Sequence, residues 1–190
     1  MREHHEPAIV PVPSAERLTD HVVAHARATP EAVVVRRLES GTWRDVTARE
    51  LHDDIVAAAR GLVASGVGVG DRVGLMSRTR YEWTVLDYAI WYAGGVTVPI
   101  YETSSAEQVE WILADSGAVA CVVESDRHDA LLAQVRDRLP ALHSSWVIER
   151  DGIAQIVGAG RDVDDATLEE RRRSRHGEDL ATIIYTSGTT

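Results

Sequence analysis

The sequence predicts an α/β fold, a layered and largely parallel sheet with helices on both faces. Short apolar runs rich in Val and Ile alternate with longer stretches of helical periodicity, and parallel strands need such crossovers. Gly and Pro fall between the runs, where turns are required. The 190 residues are 44% hydrophobic and 26% charged, which supplies a sizeable core and is too apolar for a disordered chain.

The elements follow in order. Ser14 suits a helix cap, with Leu18, Val22 and Ala26 recurring every four residues until Thr29-Pro30 ends the helix. Ala32 to Leu38 and Thr42 to Val46, joined through Gly41, read as a hairpin. Thr47 and Glu50 have the spacing of a capping box, and Leu51, Ile55, Ala58, Ala59 and Leu62 make one apolar helix face running to Gly66. A turn then feeds a strand over Arg72 to Met76, and a helix over Tyr81 to Ala93 closes at Gly94-Gly95. The pattern repeats as strand Val96 to Ile100 and helix Ala106 to Asp115, whose Ser105 and Gln108 suit a second capping box. Strand Val119 to Val123, helix Arg127 to Leu139 and strand Trp146 to Ile148 come next. Asp162 to Gly177 reads as a charged surface helix with a linker, and Ala181 to Tyr185 as a buried final strand.

Several eye-catching residues receive ordinary roles. Gly66-x-Gly68-x-Gly70 follows a helix and precedes a strand, the reverse of a dinucleotide fingerprint, so it reads as a helix-ending turn. His21 and His25 lie one turn apart without a third ligand. Arg171-Arg172-Arg173-Ser174-Arg175 is flanked by Glu169, Glu170 and Glu178 and reads as a solvated face. Trp83, Trp91 and Trp111 read as core, and Cys121, inside an apolar run, as a small buried hydrophobe. A formal charge of −10 argues against nucleic acid as a partner. With no run of about eighteen apolar residues and one Cys, the sequence fits a reducing, cytoplasmic setting.

The chemistry is concentrated in Tyr185-Thr186-Ser187-Gly188-Thr189-Thr190, where an apolar run breaks into four hydroxyls and one glycine. Backbone N–H groups around Gly188 can point at one anion, and the hydroxyls donate further hydrogen bonds. The stretch lacks the Gly-x-x-x-x-Gly-Lys spacing of a Walker A loop. The basic side chains are all Arg, so a lysine for a phosphate must come from elsewhere.

Five segments then stand in the order found in adenylate-forming acyl-CoA synthetases. They are Gly70-Asp71-Arg72-Val73, Arg80-Tyr81-Glu82-Trp83, Ala93 to Tyr101, Thr103 to Gln108, and Thr182 to Thr190. The last resembles that superfamily's phosphate loop. The stretch Pro99-Ile100-Tyr101-x-Thr103-Ser104-Ser105 is similar to its long-chain fatty acid–CoA ligase branch. The resemblance implies a two-step ligase: a fatty carboxylate attacks the α-phosphate of ATP, pyrophosphate leaves, and coenzyme A captures the acyl-adenylate. It implies that Thr186, Ser187, Gly188, Thr189 and Thr190 hold the ATP phosphates, with Tyr185 leading in, and that Mg2+ bridges those phosphates. It places no catalytic residue and no metal ligand within this chain.

On this resemblance, residues 1–14 are a flexible N-terminus and 15–190 the N-terminal portion of an AMP-binding (adenylation) domain, truncated in its phosphate loop. The Gly and Lys that continue the loop, the acyl tunnel and the mobile C-terminal domain would follow. A sheet left partly uncovered, self-association and an inactive isolated fragment are then expected. A fatty acyl-AMP ligase, an enzyme adenylating another acid, and a non-enzymatic α/β binding module remain alternatives. Oligomeric state is open, as is peripheral membrane contact with lipid substrates.

Overall fold

Strands of near-continuous apolar residues bury both faces, and the computed structural model, which describes residue 13 and residues 15–186, shows how this is done. Strands β3 (Arg72–Met76), β4 (Val96–Ile100), β5 (Ala120–Val123) and β6 (Ser144–Val147) form a parallel sheet in the order β4-β3-β5-β6. Gly74, at the centre of β3, pairs with Val98 on one side and Cys121 on the other. The hairpin of β1 (Val33–Glu39) and β2 (Thr42–Thr47) is a separate antiparallel sheet. Its turn places Ser40 and Gly41 at φ of 50° and 82°, the positive pair a two-residue hairpin loop demands.

The helices divide by face. Helices α1 (Asp20–Ala28), α2 (Ala48–Ala64), α3 (Tyr81–Tyr92), α6 (Gly152–Ala159) and α7 (Asp165–Arg173) share a core with Val73, Leu75, Ala120 and Val122. Helices α4 (Ala106–Ser116) and α5 (Asp126–Val135) cover Met76, Val98, Cys121 and Val123 on the opposite face. Both capping boxes form as the sequence predicts: Thr47 with Glu50 begins α2, and Ser105 with Gln108 begins α4. Gly117 ends α4 in the left-handed conformation at φ 63°.

Several features differ from what the sequence predicts. Helix α1 begins at Asp20, with Thr19 as its N-cap residue, and Ser14 lies outside the described residues. Leu18 is exposed, because the chain turns through an Arg17 N–H bond to the Asp20 carboxylate, and Val23 supplies the buried contact. The basic run is only partly a solvated face: the Arg172 side chain is 8% exposed and bonds both oxygens of Glu169, at 2.9 and 2.7 Å, together with Asp20 of α1. This pairing draws the Glu169 carboxyl down to about 2. The sheet faces are not left open. Helices cover them, and the large exposed apolar side chains include Leu38 and Trp43 of the hairpin, with Leu180 and Ile184 near the end of the described chain. Finally, α6 was not expected, because its segment Gly152-Ile153-Ala154-Gln155-Ile156-Val157-Gly158-Ala159 carries two glycines and no capping side chain.

Close approach explains α6. Ile156 is fully buried against α2, and a Cβ added at Gly61 would collide with the Ile156 carbonyl. Gly160 meets the backbone of Gly61 in the same way, so the helices touch main chain to main chain. The variant Gly61→Ala is expected to lose about 2–3 kcal/mol of stability through this overpacking. Gly158→Ala, whose Cβ would meet nothing within 4 Å, should be neutral or gain up to about 1 kcal/mol from helix propensity. Urea unfolding of the two variants beside the parent checks the contrast.

Candidate functional site

Open parallel sheets take ligands beyond the carboxyl ends of their strands, where the chain changes direction across the sheet. Here that point lies between β3 and β5, because β3 connects outward to β4 and the next connection returns over it to β5. The crevice is filled. Glu124, 4% exposed, accepts the Arg78 backbone N–H at 3.0 Å and pairs with the guanidinium groups of Arg78 and Arg80 at 2.7 and 3.4 Å. Ser77 adds a hydroxyl at 3.4 Å. Such a carboxylate has its charge and lone pairs committed to the loop after β3, so it is a structural plug.

The hydroxyl-rich stretch approaches from the other side of the sheet. Val96 N–H bonds to Asp71 O at 2.8 Å, so alternate residues of β4 turn toward β3 while Thr97 and Pro99 turn their backbone groups to the outer edge. At that edge Thr97 donates to Ala181 O and accepts from Ile183 N–H, both at 3.0 Å, in a single parallel bridge to Thr182. The next rung would require an N–H from Pro99, which has none. The expected buried strand Ala181–Tyr185 is therefore corrected to one bridge on a half-buried segment, with Ile184 65% exposed.

Side chains supply what the ladder lacks. The Trp91 indole N–H of α3 donates to Ala181 O at 2.8 Å, and Tyr185 OH donates to Asp115 Oδ2 of α4 at 2.7 Å. Trp111, expected in the core, is instead 59% exposed and meets the Tyr185 ring edge-on, centroids 5.0 Å apart. Desolvation, with the Asp115 carboxylate adding to it, pushes the Tyr185 phenol up to about 12, so it stays a proton donor. Thr186 is exposed at the exit from this anchor. Ser187, Gly188, Thr189 and Thr190, the remaining expected phosphate ligands, lie outside the described residues. The anchoring residues Trp91, Thr97, Asp115 and Trp111 were not expected from sequence, since they stand about 70 to 90 positions from their partners.

Beneath the bridge lies Asp87 of α3, 8% exposed. Burial pushes its carboxyl up to about 6. The hydroxyl of Thr97 pulls weakly the other way but falls short of hydrogen-bond geometry, and its buried Oγ1 has no partner among the described residues. Cys121 is fully buried with its thiol pushed up to about 12, as expected of a packed hydrophobe.

Residues 22–190 match the family described as AMP-binding enzyme. The chain belongs to that family. Among relatives of this AMP-binding chain, a long-chain-fatty-acid–CoA ligase of Mycobacterium bovis is 46% identical over 193 aligned residues, covering 100% of this chain and 32% of that protein. Its counterpart in Mycobacterium tuberculosis is 45% identical over the same share. The chain thus spans about a third of the length of these relatives. A long-chain-fatty-acid–CoA ligase from Archaeoglobus fulgidus superposes with a TM-score of 0.72 at 21% identity, covering 95% of this chain and 37% of that one. An anthranilate CoA ligase bound to anthranoyl-AMP also gives 0.72, at 23% identity, covering 95% and 33%. Both likenesses show the fold, the amino-terminal part of the adenylate-forming architecture.

The buried carboxylate of this AMP-binding chain gives a signed pH effect. Asp87 binds its proton more tightly folded than unfolded, so stability falls as pH rises from about 4 through about 6. Asp87→Asn is expected to raise stability at pH 8 by about 3 kcal/mol, with the gain vanishing near pH 4. Thermal melts of both proteins across that range check it.

Proposed function

We propose that this chain is the amino-terminal part of an acid–thiol ligase that activates a long-chain fatty acid as its adenylate and transfers the acyl group to coenzyme A. The observation that carries the reading is the 46% identity, along the whole chain, to a mycobacterial protein named for that activity. The tail supports it, since Thr186, Ser187, Gly188, Thr189 and Thr190 carry no negative charge and offer N–H and O–H donors suited to a polyphosphate. ATP with Mg2+ would supply the phosphate leaving group. These residues would bind and orient its phosphates through N–H and O–H donors, with Tyr185 holding the loop's entry. Residues 15–190 then form the first portion of the adenylation domain, and the stretch 1–14 lies, apart from residue 13, outside the described residues.

On this reading the reaction takes place in the cytoplasm, with fatty acid met in solution or at a membrane surface. No helix among the described residues is long and apolar enough to cross a membrane.

Reading the coding sequence beyond Thr190 is the first test: a Gly followed within a few residues by Lys is the expected continuation, and an immediate stop would favour a binding module. The complete protein should then show fatty-acid-dependent exchange of pyrophosphate into ATP and CoA-dependent release of AMP. Adenylate formation without the CoA step would mark an acyl-AMP ligase, and exchange only with amino or aryl acids would mark another adenylating enzyme. Purified residues 1–190 are expected to show no exchange.

A further inference from the structure

The segment entering the hydroxyl-rich loop has lost its second ladder rung at Pro99, so its direction past Ile183 is not set by the sheet. Among the described residues, the Tyr185 ring packs on the edge of the core and against the Trp111 indole, and its hydroxyl makes the directional contact there, a hydrogen bond to Asp115 Oδ2 at 2.7 Å. Asp115 is an exposed residue on the last turn of α4, a helix whose backbone is anchored through Val109, Ile112 and Leu113 in the core, so the attachment point sits on a fixed element. One peptide bond separates Tyr185 from Thr186, the first expected phosphate ligand. We infer that Asp115 is a positioning residue for ATP: through the Tyr185 hydroxyl it sets the direction in which the phosphate-holding loop leaves the sheet.

This rests on the proposed ligase reading. Asp115 touches no phosphate itself, and as a carboxylate it would repel one, so its effect passes through Tyr185. The bond is charge-assisted, which makes its loss larger than that of a neutral surface contact. Asp115→Asn keeps an acceptor oxygen in the same place, whereas Asp115→Ala removes it and Tyr185→Phe removes the donor.

Two measurements test the inference. In the complete enzyme, Asp115→Ala and Tyr185→Phe should each raise the KM for ATP roughly five- to tenfold while leaving the KM for fatty acid unchanged. The double variant should be no worse than either single one, and Asp115→Asn should recover most of the loss. In residues 1–190 alone, Asp115→Ala and Tyr185→Phe should accelerate hydrogen exchange at the Ile184, Tyr185 and Thr186 amides without changing the melting temperature. Unchanged exchange, additive effects, or equal losses for ATP and fatty acid would overturn the positioning role. A parent enzyme without acid-dependent exchange, in a chain whose amides still respond, would overturn the ligase reading and not the anchor.

Discussion

Strand β3 has a neighbour on each edge and helices on each face, so its backbone groups cannot fall back on water. Every N–H and C=O must find a partner in β4 or β5, and every side chain must find a place in one of two cores. The register follows, with Gly74 flanked by Val98 and Cys121 and leaving room for Leu113 of α4 to settle on the sheet. It also decides where chemistry can occur. The crevice at the end of β3 is closed by Glu124 and two arginines, and the segment that approaches the expected phosphate loop docks instead on the outer edge of β4.

Local signals were legible in the sequence because they need only neighbouring residues. Thr47 with Glu50 and Ser105 with Gln108 each close a reciprocal cap over three positions, and the spacing of Leu51, Ile55, Ala58 and Leu62 marks a buried face. The alternation of strands and helices was sufficient for the sheet's parallel sense. Helix α6 was hidden because its stability comes from main-chain contact with Gly61, ninety-odd residues away, and not from its own propensity. Trp111 carried an apolar helical signal, yet the partner it found was Tyr185 near the end of the described chain.

The candidate site was half legible for the same reason. Its hydroxyls and glycine announce themselves in a row, but nothing in Ala181 to Tyr185 reveals that the adjoining strand offers a proline where a donor is needed. A β-branched run was read as a buried strand on its own merits, and a single residue of β4 determined otherwise. The electrostatics show a similar dependence on distant partners. Glu169 is drawn down by Arg172 three positions on, while Asp87 is pushed up because burial brings it no cation.

Pro99 has another effect besides limiting the bridge to Thr182. An exposed parallel edge is ordinarily a template onto which another chain can add, rung after rung. On β4 the outward-facing backbone groups belong to Thr97, already occupied by Ala181 and Ile183, and to Pro99, which can donate nothing. A second molecule arriving there finds no continuous row of partners. The residue that frees the loop's approach from the sheet thus also makes this border inhospitable to strand addition, and the chain can carry exposed Leu180 and Ile184 beside it without offering a seam for fibrous growth.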